Sequence, residues 1–207
     1  MGQRKKWKIQ RALGLELPGL GKPGALEKRN YPPGQHGKAR KPKISQFGAQ
    51  LREKQKLLFH YGIREEQLRR FVRNAKSRQP KNWIEALIGL LERRLDNVVF
   101  RLGFARSMAA GRQLVSHGHI LVNGRRETIG SMVLDPGDII QLSERANQWE
   151  TTQAARRAPR LPLPSFLQFG SPGALERGVL LSVPDSSHIP FEFNTSQVAE
   201  YYAKRGV

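Results

Sequence analysis

The amino-acid sequence predicts an α+β protein: a basic, extended N-terminal arm, a small all-helical subdomain, and an inserted module of two to three helices packed on a small antiparallel β-sheet. Three observations carry this reading. Residues 1–80 hold 21 Lys or Arg against 5 Asp or Glu, so +16 of the net +19 sits there, much of it in a stretch with almost no periodic apolar spacing. Residues 45–91 then show apolar side chains at helical spacing three times over. From residue 93 two short helical stripes meet at a corner, and from 120 to 142 that spacing gives way to short apolar runs separated by turn dipeptides.

The arm, residues 1–44, is rich in Gly and Pro and cannot bury enough apolar surface to fold alone. Its cations are Arg4, Lys5, Lys6, Lys8, Arg11, Lys38, Arg40, Lys41 and Lys43 among others. In Tyr31-Pro32-Pro33-Gly34-Gln35-His36-Gly37 the prolines fix an extended backbone, and the glycines allow turns and close approach to a phosphate. Trp7, Tyr31 and His36 offer faces on which unpaired bases stack. The alternative for such a composition is a disordered tail.

The helical subdomain, residues 45–91, is expected to be completed by a last helix within residues 195–207. Ser45 caps the first helix, which directs Phe47, Leu51 and Leu58 inward, exposes Arg52, Lys54 and Lys56, and stops at Gly62. Ile63 to Ser77 places Leu68, Phe71, Val72 and Ala75 on one stripe, leaving Arg69, Arg70 and Arg73 on other faces. Pro80 separates a third helix, where Asn82 and Glu85 form a capping pair and Trp83, Leu87, Leu90 and Leu91 pack. Phe47, Phe71 and Trp83 therefore read as core.

The module occupies residues 92–190. Leu95, Val98, Val99 and Leu102 recur at helical spacing with Arg94, Asp96 and Arg101 on other faces, and Gly103 ends that helix. Ser107 caps a second helix carrying Leu114 and Val115 inward, with Gly118 as its left-handed C-terminal residue. Ile120 to Val122 reads as a strand and Asn123-Gly124 as a hairpin turn; Met132 to Leu134 and Ile139 to Leu142 flank the turn Asp135 to Asp138. Beyond Leu142 the patterns weaken. Phe166 to Phe169 and Val179 to Val183 read as a hairpin around a Gly/Pro loop, and Thr195 to Lys204 as the closing helix, with Val198, Tyr201 and Tyr202 on one face.

Where the corner, the second helix and the strand entrance converge, the sequence assembles Arg106, Ser107, Arg112, Gln113, His117, His119, Asn123, Arg125 and Arg126. These are donors and cations, the groups that phosphate oxygens and ribose hydroxyls require. The row reads as a surface for structured RNA; a helix-turn-helix DNA reader or a solvated basic face remains open at this level. A net charge of +19 points independently to a polyanion. No apolar stretch of 18 residues and no leader-like run is present, so neither a membrane nor a secretory route is expected, and the reading is cytoplasmic. Without cysteine there is no thiol nucleophile, disulfide or Cys-based zinc site. His117 and His119, two apart in an extended segment, face opposite sides and would not share a metal. No cofactor, metal, small-molecule substrate or enzymatic reaction is expected.

Pro32-Pro33-Gly34-Gln35-His36-Gly37, Leu51-Arg52-Glu53-Lys54-Gln55-Lys56 with Tyr61-Gly62, Arg94-Leu95-Asp96-Asn97-Val98-Val99, and Arg112 through His117-Gly118-His119 to Asn123-Gly124-Arg125 together resemble bacterial or organellar small-subunit ribosomal protein four, of a zinc-free, cysteine-less type. The likeness extends weakly to Pro164-Ser165-Phe166-Leu167 and Val198 to Tyr202. The central unit alone resembles a module also appended to pseudouridine synthases, tyrosyl-tRNA synthetases and a heat-shock ribosome-binding protein. The full resemblance implies a primary binder of small-subunit ribosomal RNA at a multi-helix junction. It also implies a place at the messenger RNA entrance beside proteins five and three of the small subunit, an influence on decoding accuracy, and in some bacteria repression of its own messenger. Localisation would be the cytoplasmic ribosome, or an organelle stroma or matrix for an organellar source. A non-ribosomal RNA chaperone or translational regulator is the alternative. This chain departs from the pattern in lacking four zinc-binding cysteines, in opening with Arg11-Ala12-Leu13-Gly14, and in having Met108 and Gly111 where Arg and Ala are common; Arg106 would then take over the phosphate contact.

Overall fold

Local signals place most of the helix ends, and the computed structural model shows which of them hold; it describes residues 5–21, 23–24, 26–39, 43–170 and 177–205. Packing divides the chain into two units, Met1–Arg70 with Pro190–Val207, and Phe71–Ile189.

In the first unit the arm contains a helix, α1 (Lys6–Leu13), closed by Gly14 at φ 68°. The run Lys-Trp-Lys-Ile-Gln-Arg-Ala-Leu has no helix breaker, and Gln10, itself buried, accepts through Oε1 from the Leu17 amide at 3.0 Å. The arm is thus helical over this stretch. Helix α2 (Gln46–His60) begins at Ser45, whose hydroxyl accepts from the Gly48 amide at 3.1 Å. Phe47 is 49% exposed, contrary to its expected inward place, because it stacks at the rim on Tyr201 with centroids 6.0 Å apart. Lys54 is also reversed: it is buried, with Nζ 2.7 Å from Glu65 Oε2 and 5.0 Å from the Tyr201 ring centroid. Helix α3 spans Glu65–Arg78. The C-terminal helix, numbered α9 in chain order (Thr195–Ala203), packs along α2, and Glu200 accepts from Gln50 Nε2 at 2.6 Å. Leu57, Tyr61, Ile63, Leu68, Val198, Tyr201 and Tyr202 are buried within this unit.

The second unit holds helices α4 (Trp83–Glu92), α5 (Leu95–Arg101) and α6 (Met108–Ser116), then strands β1 (Ile120–Val122), β2 (Arg125–Glu127) and β3 (Ile139–Leu142). Two short helices that the sequence does not signal, α7 (Glu144–Asn147) and α8 (Glu150–Arg157), precede β4 (Leu167–Phe169) and β5 (Arg177–Leu180). The strands form one five-stranded antiparallel sheet in the order β2-β1-β3-β5-β4. The expected hairpin around residue 170 therefore extends the same sheet, and its turn, residues 171–176, lies outside the described residues. Met132 to Leu134 does not become a strand; Val133 makes a single bridge to Arg94. The sequence-based boundary at 91/92 is not where packing divides the chain. Leu87, Ile88 and Leu91 of α4 are buried in the same unit as Leu95, Val98 and Val99 of α5.

Helix α5 is buried on every side, so the separate polar faces expected for Arg94, Asp96 and Arg101 do not exist. Arg94 donates through Nε and Nη2 to Asp96 Oδ1 and Oδ2 at 3.0 and 2.7 Å. Asn97 Nδ2 donates to Glu92 at 2.9 Å, and Arg101 Nη2 to the His188 carbonyl at 2.7 Å. Pairing of this kind is what lets charges stay inside a fold, since an unpaired buried ion costs several kcal/mol. The Glu85 carboxylate accepts from the Ser186 amide at 2.7 Å and from its hydroxyl at 2.6 Å, so it does not cap α4 with Asn82. Around this lie Leu102, Phe104, Val115, Ile120, Val122, Ile140, Leu142, Phe166 and Leu180. Gly111 permits the α5–α6 approach: a Cβ there would stand 2.9 Å from the Asp96 carbonyl oxygen.

Candidate RNA-binding surface

The corner between α5 and α6 is built by local chemistry. Ser107 accepts from the Ala110 amide at 3.2 Å and starts α6, leaving Arg106 exposed just before it. Gly118, at φ 70°, ends the helix and turns the chain into β1. A Cβ at Gly118 would also meet the Arg126 guanidinium, which crosses it to donate from Nη2 to the His117 carbonyl at 3.0 Å. This turn overturns the expectation that His117 and His119 face apart. Their rings lie 6.3 Å apart, centroid to centroid, beside one cleft. Burial, then repulsion from His117, Arg145 and Arg126, holds His119 below the usual imidazole range. Among the described residues, no group of three or more His, Asp or Glu is placed to hold a metal ion.

The cleft encloses about 410 Å³ and is lined by Phe104, Ala105, Arg106, Ala110, Gln113, Leu114, His117, His119, Trp149, Thr151 and Thr152. Trp149 meets His119 edge to face at 4.5 Å. Sequence patterning gives no signal for Trp149, which precedes a short polar helix, α8, with no apolar periodicity. In the first unit a second groove of about 340 Å³ runs beside Arg11, Lys43, Ser45 and Arg52.

The remaining sequence-derived residues separate by environment. Lys5, Lys6, Lys8, Gln35, His36, Lys38, Lys43, Arg52, Arg70, Arg73, Gln113, His117 and Arg125 are exposed. Arg4, Arg40 and Lys41 lie outside the described residues. Arg11 donates to the carbonyls of Tyr31 and Pro32 at 2.9 and 3.2 Å and lies over the Tyr31 ring, which ties the arm to its own loop. Lys56 pairs with Glu53 at 2.6 Å, and Arg69 with Glu65 at 3.4 Å. Asn123 serves the turn, with φ 50°, donating to Asp138 at 2.8 Å and accepting from the Ile139 amide at 2.9 Å. Arg112 donates from Nε and Nη2 to Asp96 Oδ2 at 2.8 and 2.7 Å. Its guanidinium thus completes the Arg94–Asp96 cluster, while its side chain stays 40% exposed.

Ser165 Oγ, His188 Nε2 and, from Nδ1, Asp185 Oδ1 stand 3.0 and 2.8 Å apart, in the order of an acyl-transfer triad. Their surroundings give them another task. Asp185 caps the turn Ser186–His188, and its carboxylate, which can only accept, takes a hydrogen bond from Nδ1 at 2.8 Å, leaving Nε2 to accept from the Ser165 hydroxyl. The Ser187 hydroxyl, bonded to Asp185, holds that carboxyl below the usual range.

Residues 3–92 match the model of the ribosomal protein S4/S9 N-terminal domain, and residues 93–140 that of the S4 domain. The chain is 54% identical to small ribosomal subunit protein uS4B of Bdellovibrio bacteriovorus over 205 residues, covering 99% of this chain and 98% of that protein. The chain belongs to the uS4 family of small-subunit ribosomal proteins. It is 42% identical to uS4 of Pelodictyon phaeoclathratiforme over 95% of this chain and to uS4 of Geobacillus stearothermophilus over 96%, each covering 96% of the relative. As a uS4 protein the chain is a structural, RNA-binding component of the small ribosomal subunit and not an enzyme. The two family models meet at 92/93, at the Arg93-Arg94-Leu95-Asp96 run whose ion pairs anchor the start of α5.

Proposed function

We propose that the chain is a primary binder of small-subunit ribosomal RNA: it seizes a multi-helix junction early in assembly, lies near the messenger RNA entrance beside proteins five and three, and through protein five influences decoding accuracy. Its place is the cytoplasmic ribosome, or the stroma or matrix of an organelle. The observation that carries the reading is the concentration of +16 in residues 1–80 of a uS4 chain, with exposed cations on the arm, α2 and α3. Charge of that density is neutralised most readily by phosphates arrayed over a wide surface. The exposed site residues, Arg73, Arg106, Gln113, His117 and Arg125 in the second unit and Lys5, Lys6, Lys8, Gln35, His36, Lys38, Lys43, Arg52 and Arg70 in the first, are the proposed RNA contacts. The test is binding of the purified chain, alone, to protein-free small-subunit rRNA, with backbone-cleavage footprinting. A primary binder protects one junction with no other protein present. Protection that appears only after other small-subunit proteins are added would reduce it to a secondary binder.

A further inference from the structure

The cleft beside α6 has a form that phosphate contacts alone do not explain. Electrostatic binding to a backbone needs exposed cations on a convex or grooved surface, whereas this cleft is concave and mostly apolar, with polar groups at few points. Its about 410 Å³ lies in the size class of pockets for single small ligands, roughly 300 to 1,000 Å³, too small for a duplex. Trp149 and His119 form an aromatic corner inside it. Gln113, with one donor and one acceptor end on its carboxamide, stands at its side, and Arg106 supplies a cation. Neither the Gln113 carboxamide nor the Arg106 guanidinium has a hydrogen-bond partner among the described residues. No carboxylate is among the lining residues, so an anionic chain can approach.

We infer that this cleft receives one unstacked nucleobase of the bound RNA, which stacks against Trp149 and presents its edge to Gln113 while Arg106 meets the phosphate of the same strand. The inference rests on the rRNA-binding reading above. Single-stranded positions are where proteins read RNA sequence, because a splayed base can lie on an aromatic ring and hydrogen-bond along its edge. Burial and the neighbouring cations hold His119 below its usual range, which favours the uncharged ring at the corner it forms with Trp149. The cleft thus adds base recognition to a surface otherwise made of backbone contacts.

The test uses the full chain and protein-free small-subunit rRNA, with Trp149→Ala and Gln113→Ala, each checked for folding by circular dichroism. Loss of a stacked base weakens binding about 5- to 150-fold, the equivalent of roughly 1–3 kcal/mol per base. The slope of log affinity against log salt should stay unchanged, because no phosphate contact is lost. Inorganic polyphosphate, which has no base, should bind wild type and variants alike. Gln113 is exposed on α6, so its variant reports even where Trp149→Ala unfolds. Unchanged rRNA affinity in folded Gln113→Ala and Trp149→Ala, with wild-type binding intact, would overturn the base-receiving cleft and leave the rRNA reading standing. Failure of wild type to bind the rRNA would overturn both.

Discussion

Asp96 is the carboxylate on which the start of the second unit is fastened, and Asp96→Asn tests that role. Its side chain is wholly buried and accepts from Arg94 twice and from Arg112 twice, at 2.7 to 3.0 Å. A carboxamide in its place keeps the volume but loses the charge, and turns one end of the group from acceptor to donor against two guanidinium groups. Arg94, only 3% exposed, cannot regain solvation by moving outward. Removing one partner of a buried pair costs about 3–5 kcal/mol. At roughly 2–4 °C per kcal/mol for a chain of this size, the melting temperature should fall by about 6–20 °C. Arg112→Gln should cost less, about 1–2 kcal/mol, because its side chain is 40% exposed and Asp96 keeps Arg94. Differential scanning calorimetry beside salt-dependent RNA titration decides the matter. If Arg112→Gln leaves the melting temperature unchanged and lowers the salt slope by about one unit, Arg112 belongs to the RNA and not to the cluster.

Other outcomes follow from the same geometry. Six or more phosphate contacts should give a log-log salt slope steeper than about −4, and a slope near −1 would contradict the phosphate-dominated reading. Gly118→Ala should destabilise by about 1–3 kcal/mol in urea titration, since it combines a left-handed φ with a collision against Arg126; a neutral result would show that the turn relaxes freely. Because the folded state holds the His119 pKa below its unfolded value near 6.5, unfolded chains bind the proton first as pH falls. Its contribution to stability is therefore full above about pH 6.5 and declines below it, and His119→Gln should flatten that decline in melting temperature between about pH 7 and 5. An unaltered pH profile in the variant would assign the decline elsewhere.

What could be read in the sequence was local. Ser45 and Ser107 cap the helices they precede, Gly62, Gly103 and Gly118 take positive φ, and Asn123-Gly124 forms the hairpin turn, because each depends only on near neighbours. What could not be read depended on distant partners. The amphipathic rule assumes that a helix has a wet face, and α5 has none, so Arg94, Asp96 and Arg101 turn inward to one another and to His188. Lys54 reads as exposed for want of a visible partner; Glu65 and the Tyr201 ring supply it. The histidine pair reads as split because strand alternation is carried one residue too far, across a glycine that bends the chain. Trp149 gives no signal at all, although it forms a wall of the cleft beside α6.

Sedimentation of cell extract through a sucrose gradient at moderate salt tests most directly whether this chain works as a ribosomal protein. Assembly on the rRNA predicts that the chain comigrates with the small subunit at about one copy per particle and stays there when the gradient is repeated. Recovery of the chain mainly at the top of the gradient, with small subunits complete without it, would contradict that claim and favour a free RNA chaperone or regulator.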